Sequence, residues 1–141
     1  MYKSAKLVSE ALTRHEVKNR VSDINDLSVV EAVFLLEKCP DISVLMFARD
    51  DDNYIAIRVF NLVKDVPEEK MPEMLKVCNK LNGKYNYFCF YVDEQNSVTV
   101  KADIPADVGD VEVGEACYAL MIGLLQTIQE SYGSLMLAMY A

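Results

Sequence analysis

The sequence predicts an α+β protein: an antiparallel five-stranded sheet packed by helices, in the order α-β-β-β-α-β-β-α. Three observations carry this. Several runs alternate apolar and polar residues with period two and are joined by short polar turns, the pattern of antiparallel hairpins. Three other stretches repeat apolar residues at helical spacing. Strands and helices come in groups and do not alternate, which disfavours a parallel βαβ design. The 141 residues are expected to form a single domain, 1–141. A chain of this size buries roughly 68% of its extended surface, so no disulfide or metal staple is required.

The first helix spans Ser4 to His15. Ala5, Val8, Leu12 and His15 make one stripe, and Ser4 is placed to cap it. Glu16 to Ser28 is polar and without period, and reads as loop. Val29 to Glu37 is read as a strand, although its pattern also admits a helix; it ends at the turn Lys38-Cys39-Pro40-Asp41. Ile42 to Arg49 alternates, with Ile42, Val44, Met46 and Ala48 on one face. Asp50-Asp51-Asp52-Asn53 is a polar turn. Tyr54 to Val63 alternates again, with Ile55, Ile57 and Val59 opposite Tyr54, Ala56, Arg58 and Phe60.

Asp65 and Glu68 have capping-box spacing at the start of the second helix. Pro72 lacks an N–H, so the regular helix begins close to it. Met71, Met74, Leu75, Cys78 and Leu81 form its stripe, and Asn82-Gly83 supplies a left-handed stop. Tyr85 to Asp93 and Ser97 to Asp103 form a hairpin around Glu94-Gln95-Asn96. Its second strand points Val98, Val100, Ala102 and Ile104 inward and Ser97, Thr99, Lys101 and Asp103 to water. Pro105 to Gly114 reads as loop. The last helix runs from about Glu115 toward Met139, with Gly133 as a break near its end.

The formal net charge is −8 and the pI about 4.6. That argues against nucleic acid and against anionic membrane, both of which require a basic surface. Ala116 to Ala141 carries one charge, Glu130, yet Gln126, Thr127, Gln129, Ser131 and Ser134 cluster where a membrane span would tolerate them least. The first twenty residues are studded with charges and do not form a signal peptide. A cytoplasmic location is therefore expected, with Cys39, Cys78, Cys89 and Cys117 as free thiols acting as small hydrophobes.

No constellation points to a reaction. Nucleophiles commonly need a basic partner, and His15, the one histidine, sits at a helix end far along the chain from every cysteine. A calcium loop begun at Asp50 would need glycine at its sixth position and glutamate at its twelfth; Ile55 and Asn61 stand there. No phosphate loop or dinucleotide fingerprint is present. Tyr85, Tyr87, Phe88, Phe90 and Tyr91 fit strand packing better than base stacking. No catalytic, cofactor-binding or metal-binding residue is assigned, and no enzyme is expected. Asn79 and Asn82 lie at i and i+3; Asn82 caps the helix, and Asn79 is placed to bond the sheet edge or the next loop.

Cys78-Asn79-Lys80-Leu81-Asn82, Tyr85 through Glu94, Val98-Thr99-Val100 and Ala102-Asp103-Ile104-Pro105 together resemble the YbjN-domain family. Asp51 to Arg58 and Val66 to Lys70 agree with it, so the resemblance covers about residues 29–140. It implies a bacterial sensory transduction regulator with a fold similar to type III secretion chaperones: small, acidic, commonly dimeric proteins that hold partner polypeptides. It implies no catalytic residue. We therefore expect a non-enzymatic interaction module, acting as a homodimer and binding a partner protein. Met71, Met74, Cys78, Met121 and Leu125 are the interface candidates, because the two later helices carry more apolar surface than one sheet face needs. The alternative is a small-molecule sensor with a pocket between sheet and helices, lined by Tyr87, Tyr91 and Arg58.

Overall fold

The computed structural model describes residues 1–49, 54–106 and 112–141. The acidic turn read at Asp50 to Asn53, and residues 107–111 of the loop read at Pro105 to Gly114, lie outside the described residues. Helix α1 (Lys3–Arg14) leads into strands β1 (Arg20–Ile24), β2 (Leu27–Phe34), β3 (Ile42–Ala48) and β4 (Tyr54–Val63). A 3-10 turn, Glu68–Lys70, opens α2 (Met71–Lys84); β5 (Cys89–Val92), β6 (Val98–Pro105) and α3 (Val113–Tyr140) follow.

The sheet has six strands, not five, in the order β1-β2-β3-β4-β6-β5, and each neighbouring pair is antiparallel. The additional strand is β1, within the stretch read as loop. It is short and mostly polar, so it carries no apolar alternation to detect. Its register is set by a two-residue turn, Asn25-Asp26, in which Asn25 holds φ at 55°. Asparagine tolerates that left-handed region better than most residues. The ambiguous run after it is a strand, as read.

Helical starts and stops differ more from expectation. Ser4 lies inside α1, whose N-cap position is Tyr2. The Tyr2 backbone N–H donates instead to Ser28 Oγ at 2.9 Å, tying the helix start to β2. Asp65 makes no side-chain cap; it adopts φ 52° and its N–H donates to Ser97 Oγ. The regular helix does begin at Met71, beside Pro72. Asn82-Gly83 does not stop it, since α2 continues to Lys84 and Tyr85 turns to extended backbone. Gly133 does not break α3, which runs unbroken for 28 residues, or about 42 Å.

Three helices side by side cover one sheet face, with α3 between α1 and α2. Helix α1 packs over β1–β3, α3 over β4 and β6, and α2 beside β5. Leu12, Val30, Met46, Ile57, Phe90, Val100, Met121, Leu124 and Ile128 belong to one buried core. The α1–α3 crossing is close because Gly114 has no side chain: a Cβ there would meet the Leu7 carbonyl and lie 2.9 Å from the Ala11 Cβ. His15 completes the junction, stacked on Tyr118 at 3.8 Å and bonded through Nε2 to Glu115 Oε2 at 2.7 Å. Its imidazole, with the Arg14 guanidinium, holds the Glu115 carboxyl below its ordinary value.

The last hairpin departs from a simple wet-face pattern. Ser97 and Thr99 are buried, because the Asp93 turn folds over them. Asp93 accepts from the Gln95 and Ser97 N–H groups and from Thr99 Oγ1, at 2.9, 3.1 and 2.9 Å. Burial pushes its carboxyl up, but these donors outweigh that and hold it below the ordinary range. Strand β5 begins only at Cys89, because Tyr85 is still needed to end α2.

Candidate functional site

Successive strand residues point to opposite faces. Val30, Val44, Met46, Ile57 and Val100 face the helices, so their neighbours face away. That second face is the candidate site. Register aligns Val29, Phe47, Ala56 and Asp103 across β2, β3, β4 and β6. The adjacent row is Glu31, Leu45, Arg58, Lys101 and Cys89. Val33 and Phe60 stand exposed near one end, at 58% and 45% of their full surface. Phe60 meets Phe47 edge-on, ring centroids 6.3 Å apart.

Charges on this face are held laterally. Arg20 Nη2 lies 2.8 Å from Glu31 Oε1, and Ser43 Oγ donates to Glu31 Oε2 at 2.8 Å. Arg58 Nη1 donates to Asp103 Oδ1 at 2.8 Å and to the Ile57 carbonyl at 2.9 Å. Lys101 Nζ sits 5.5 Å from the Tyr91 ring centroid. Phe60, Tyr91 and Val92 join Asp93, Glu94 and Gln95 around an open hollow of about 420 Å³. The product is an apolar strip flanked by fixed polar pairs.

Cys39, Cys78, Cys89 and Cys117 are free. Burial raises Cys78 to about 11 and Cys117 to about 12, so neither is a thiolate at neutral pH. Among the described residues, no three His, Cys, Asp or Glu side chains converge to hold a metal ion. Among the same residues, no helix is long and apolar enough to cross a membrane.

The sequence-predicted interface residues are elsewhere. Met74, Cys78, Met121 and Leu125 are buried in the core, where α2 and α3 pack on each other and on the sheet; Met71 is half-buried. The expected pocket does not form either: Arg58 and Tyr91 lie on the open face, Tyr87 is 74% exposed, and the space between sheet and helices is packed core. Asn79 is exposed on α2. Asn82 does what Asn79 was expected to do. Its Nδ2 donates to the Phe90 carbonyl at 3.0 Å, and its Oδ1 accepts from the Phe90 N–H at 2.7 Å. The amide thus takes the place of a neighbouring strand at the β5 edge.

Leu45, Phe47, Ala56 and Phe60 were missed as site residues. Their signal was present: β3 and β4 are apolar on both faces, more than a sheet with one wet face needs.

Residues 4–129 match the YbjN family model, described as "Putative bacterial sensory transduction regulator". No curated protein matches the chain.

Proposed function

Because the chain belongs to the YbjN family, we propose that it is a non-catalytic regulatory module that holds a partner polypeptide on the open face of its sheet. The carrying observation is the apolar strip of half-buried Leu45, Phe47 and Ala56 ending in the exposed Val33 and Phe60, on the face opposite the one that the three helices cover. Apolar surface left open to solvent marks interaction sites. The family description supports a regulator and names no reaction. The strip crosses several strands, so it suits an extended or helical segment with spaced apolar side chains. Arg58 and Lys101 would meet that segment's acidic groups. Holding such a segment would also keep it from other contacts, a chaperone-like action.

The test begins with a photo-crosslinking residue at position 60, in place of Phe60, to capture the partner in cells. The partner is then purified and titrated against wild type and a Val33→Glu/Phe60→Glu variant. Both positions are exposed, so the variant should keep its thermal midpoint. Binding should weaken by at least about tenfold, the 1.4 kcal/mol expected of a central contact. Unchanged binding by a folded variant would reject the sheet face as the site.

A further inference from the structure

The hollow at the end of the open face joins Phe60 on β4 to Tyr91 on β5 and to the turn that carries Asp93 and Glu94. Its construction follows from register. Tyr91 is paired with Thr99 of β6, and Phe60 follows the Val59↔Val100 pair on the other side of that strand. The two aromatic side chains therefore flank Thr99, two strand spacings or about 10 Å apart. Thr99 is fully buried between them, and its Oγ1 donates to Asp93 Oδ2 at 2.9 Å. A gap of that width admits one flat group, each van der Waals contact taking about 3.5–4 Å.

The charge around this gap selects the guest. The Asp93 carboxylate is fixed by three donors and stays ionised, and Glu94 is exposed at the rim. Lys101 Nζ, 5.5 Å from the Tyr91 ring centroid, shows that this ring already draws a cation from the adjoining row. Two carboxylates against one ammonium leave the notch negative. A guanidinium is planar and always charged; it stacks on aromatic faces and pairs with carboxylates. An ammonium matches the charge and not the flat gap. Within the chain, Arg14 pairs with Glu115, Arg20 with Glu31 and Arg58 with Asp103. A second copy, at net charge −8, is repelled over most approaches. The complementary guest is therefore an arginine of another polypeptide.

We propose that the notch between Phe60 and Tyr91 binds an arginine side chain of the partner segment, its guanidinium lying between the two rings and donating to Glu94. The inference rests on the reading of the open face as the partner's site and adds a requirement to it. The segment must carry an arginine beside the apolar residues that cover Phe47 and Phe60. Its acidic group, placed against Arg58 and Lys101, then falls one row along the strands, about 7 Å away. A single exposed charge contact adds little affinity, so the notch sets the register of the segment more than its strength.

The test uses the full chain with N-acetyl-L-arginine amide, its uncharged isostere N-acetyl-L-citrulline amide, and N-acetyl-L-lysine amide. Each is titrated into isotope-labelled protein at physiological ionic strength, where loose attraction to an acidic surface is screened, and followed by backbone amide shifts. Arginine amide should bind in the millimolar range and move the amides of Tyr91, Glu94 and Gln95. Citrulline amide should leave them in place, and lysine amide should bind at least about threefold more weakly for want of stacking. Glu94→Gln and Tyr91→Leu should each raise the Kd for arginine amide at least about threefold, with the rest of the amide spectrum unchanged to show that they fold. Equal shifts from citrulline or lysine amide, or a Kd indifferent to Glu94→Gln, would overturn the inference. The captured partner then separates it from the reading beneath it. A partner that is lost on Val33→Glu/Phe60→Glu and bound by Glu94→Gln as well as by wild type keeps the open face and overturns the arginine notch. A partner indifferent to Val33→Glu/Phe60→Glu overturns both.

Discussion

Asn82 shows how one side chain closes an element. Phe90 lies on the edge strand, and its backbone N–H and C=O would otherwise face outward unpaired. The Asn82 amide satisfies both, and in doing so pins the last turn of α2 to the sheet. Asn82→Ala should destabilise the protein by about 1–3 kcal/mol, the cost of two bonds to poorly hydrated backbone groups. Asn79→Ala should stay within about 0.5 kcal/mol, as exposed substitutions do. Urea denaturation of both variants checks the contrast; equal effects would remove the role assigned to Asn82. The sequence showed two asparagines on one side of a helix end. Which of them reaches Phe90 depends on how far α2 extends before Tyr85, and periodicity does not resolve a helix end to one turn.

At the level of elements, the glycines in α2 and α3 mark a difference between local rule and outcome. Gly83 after Asn82 reads as a stop, and Gly133 reads as a break. Gly83 lies helical in the last turn of α2 and Gly133 is interior to α3, and an added Cβ at either would meet nothing within 4 Å. Glycine there only weakens the helix. Gly83→Ala and Gly133→Ala should each stabilise by about 0.5–1 kcal/mol, measured as a raised denaturation midpoint. A left-handed stop at Gly83 would reverse the sign for that variant. Packing explains the override: Leu81 before Gly83, and Leu135 and Ala138 after Gly133, are buried and keep both helices wound. In β4 the reverse occurs. Asn61 at φ 56° makes a bulge between Val59 and Val63, so Leu62 and Val63 are both buried where alternation would expose one.

Across the whole molecule, the two faces of the sheet divide the labour. One face is sealed by α1, α3 and α2, and the methionines of the later helices fill that core. Met121 has no exposed surface. Met121→Ala should therefore cost about 2–5 kcal/mol of folding stability. The loss should be the same at every protein concentration, since the side chain serves the fold within one chain. Calorimetry over a tenfold concentration range checks this; a stability loss that disappears on dilution would place Met121 at an interface. The opposite face keeps its apolar strip and fixed ion pairs.

Period-two alternation from Ile42 to Ala48 and Tyr54 to Val63, and the stripe of Met74, Cys78 and Leu81, were legible in the sequence because each element's inward face must be apolar wherever it packs. The fold class and the helix order followed from those patterns; the family resemblance rested on particular runs such as Cys78-Asn79-Lys80-Leu81-Asn82. The tertiary structure alone decided what covers each face. Met121 and Leu125 looked like surplus grease on an isolated helix, and became core once α1 and α2 closed on both sides of α3. Leu45 and Phe47 looked like ordinary strand residues, and became a half-buried strip because, among the described residues, the helices pack on the other side of the sheet. Burial belongs to pairs of elements, and one element's periodicity cannot state who its neighbour is.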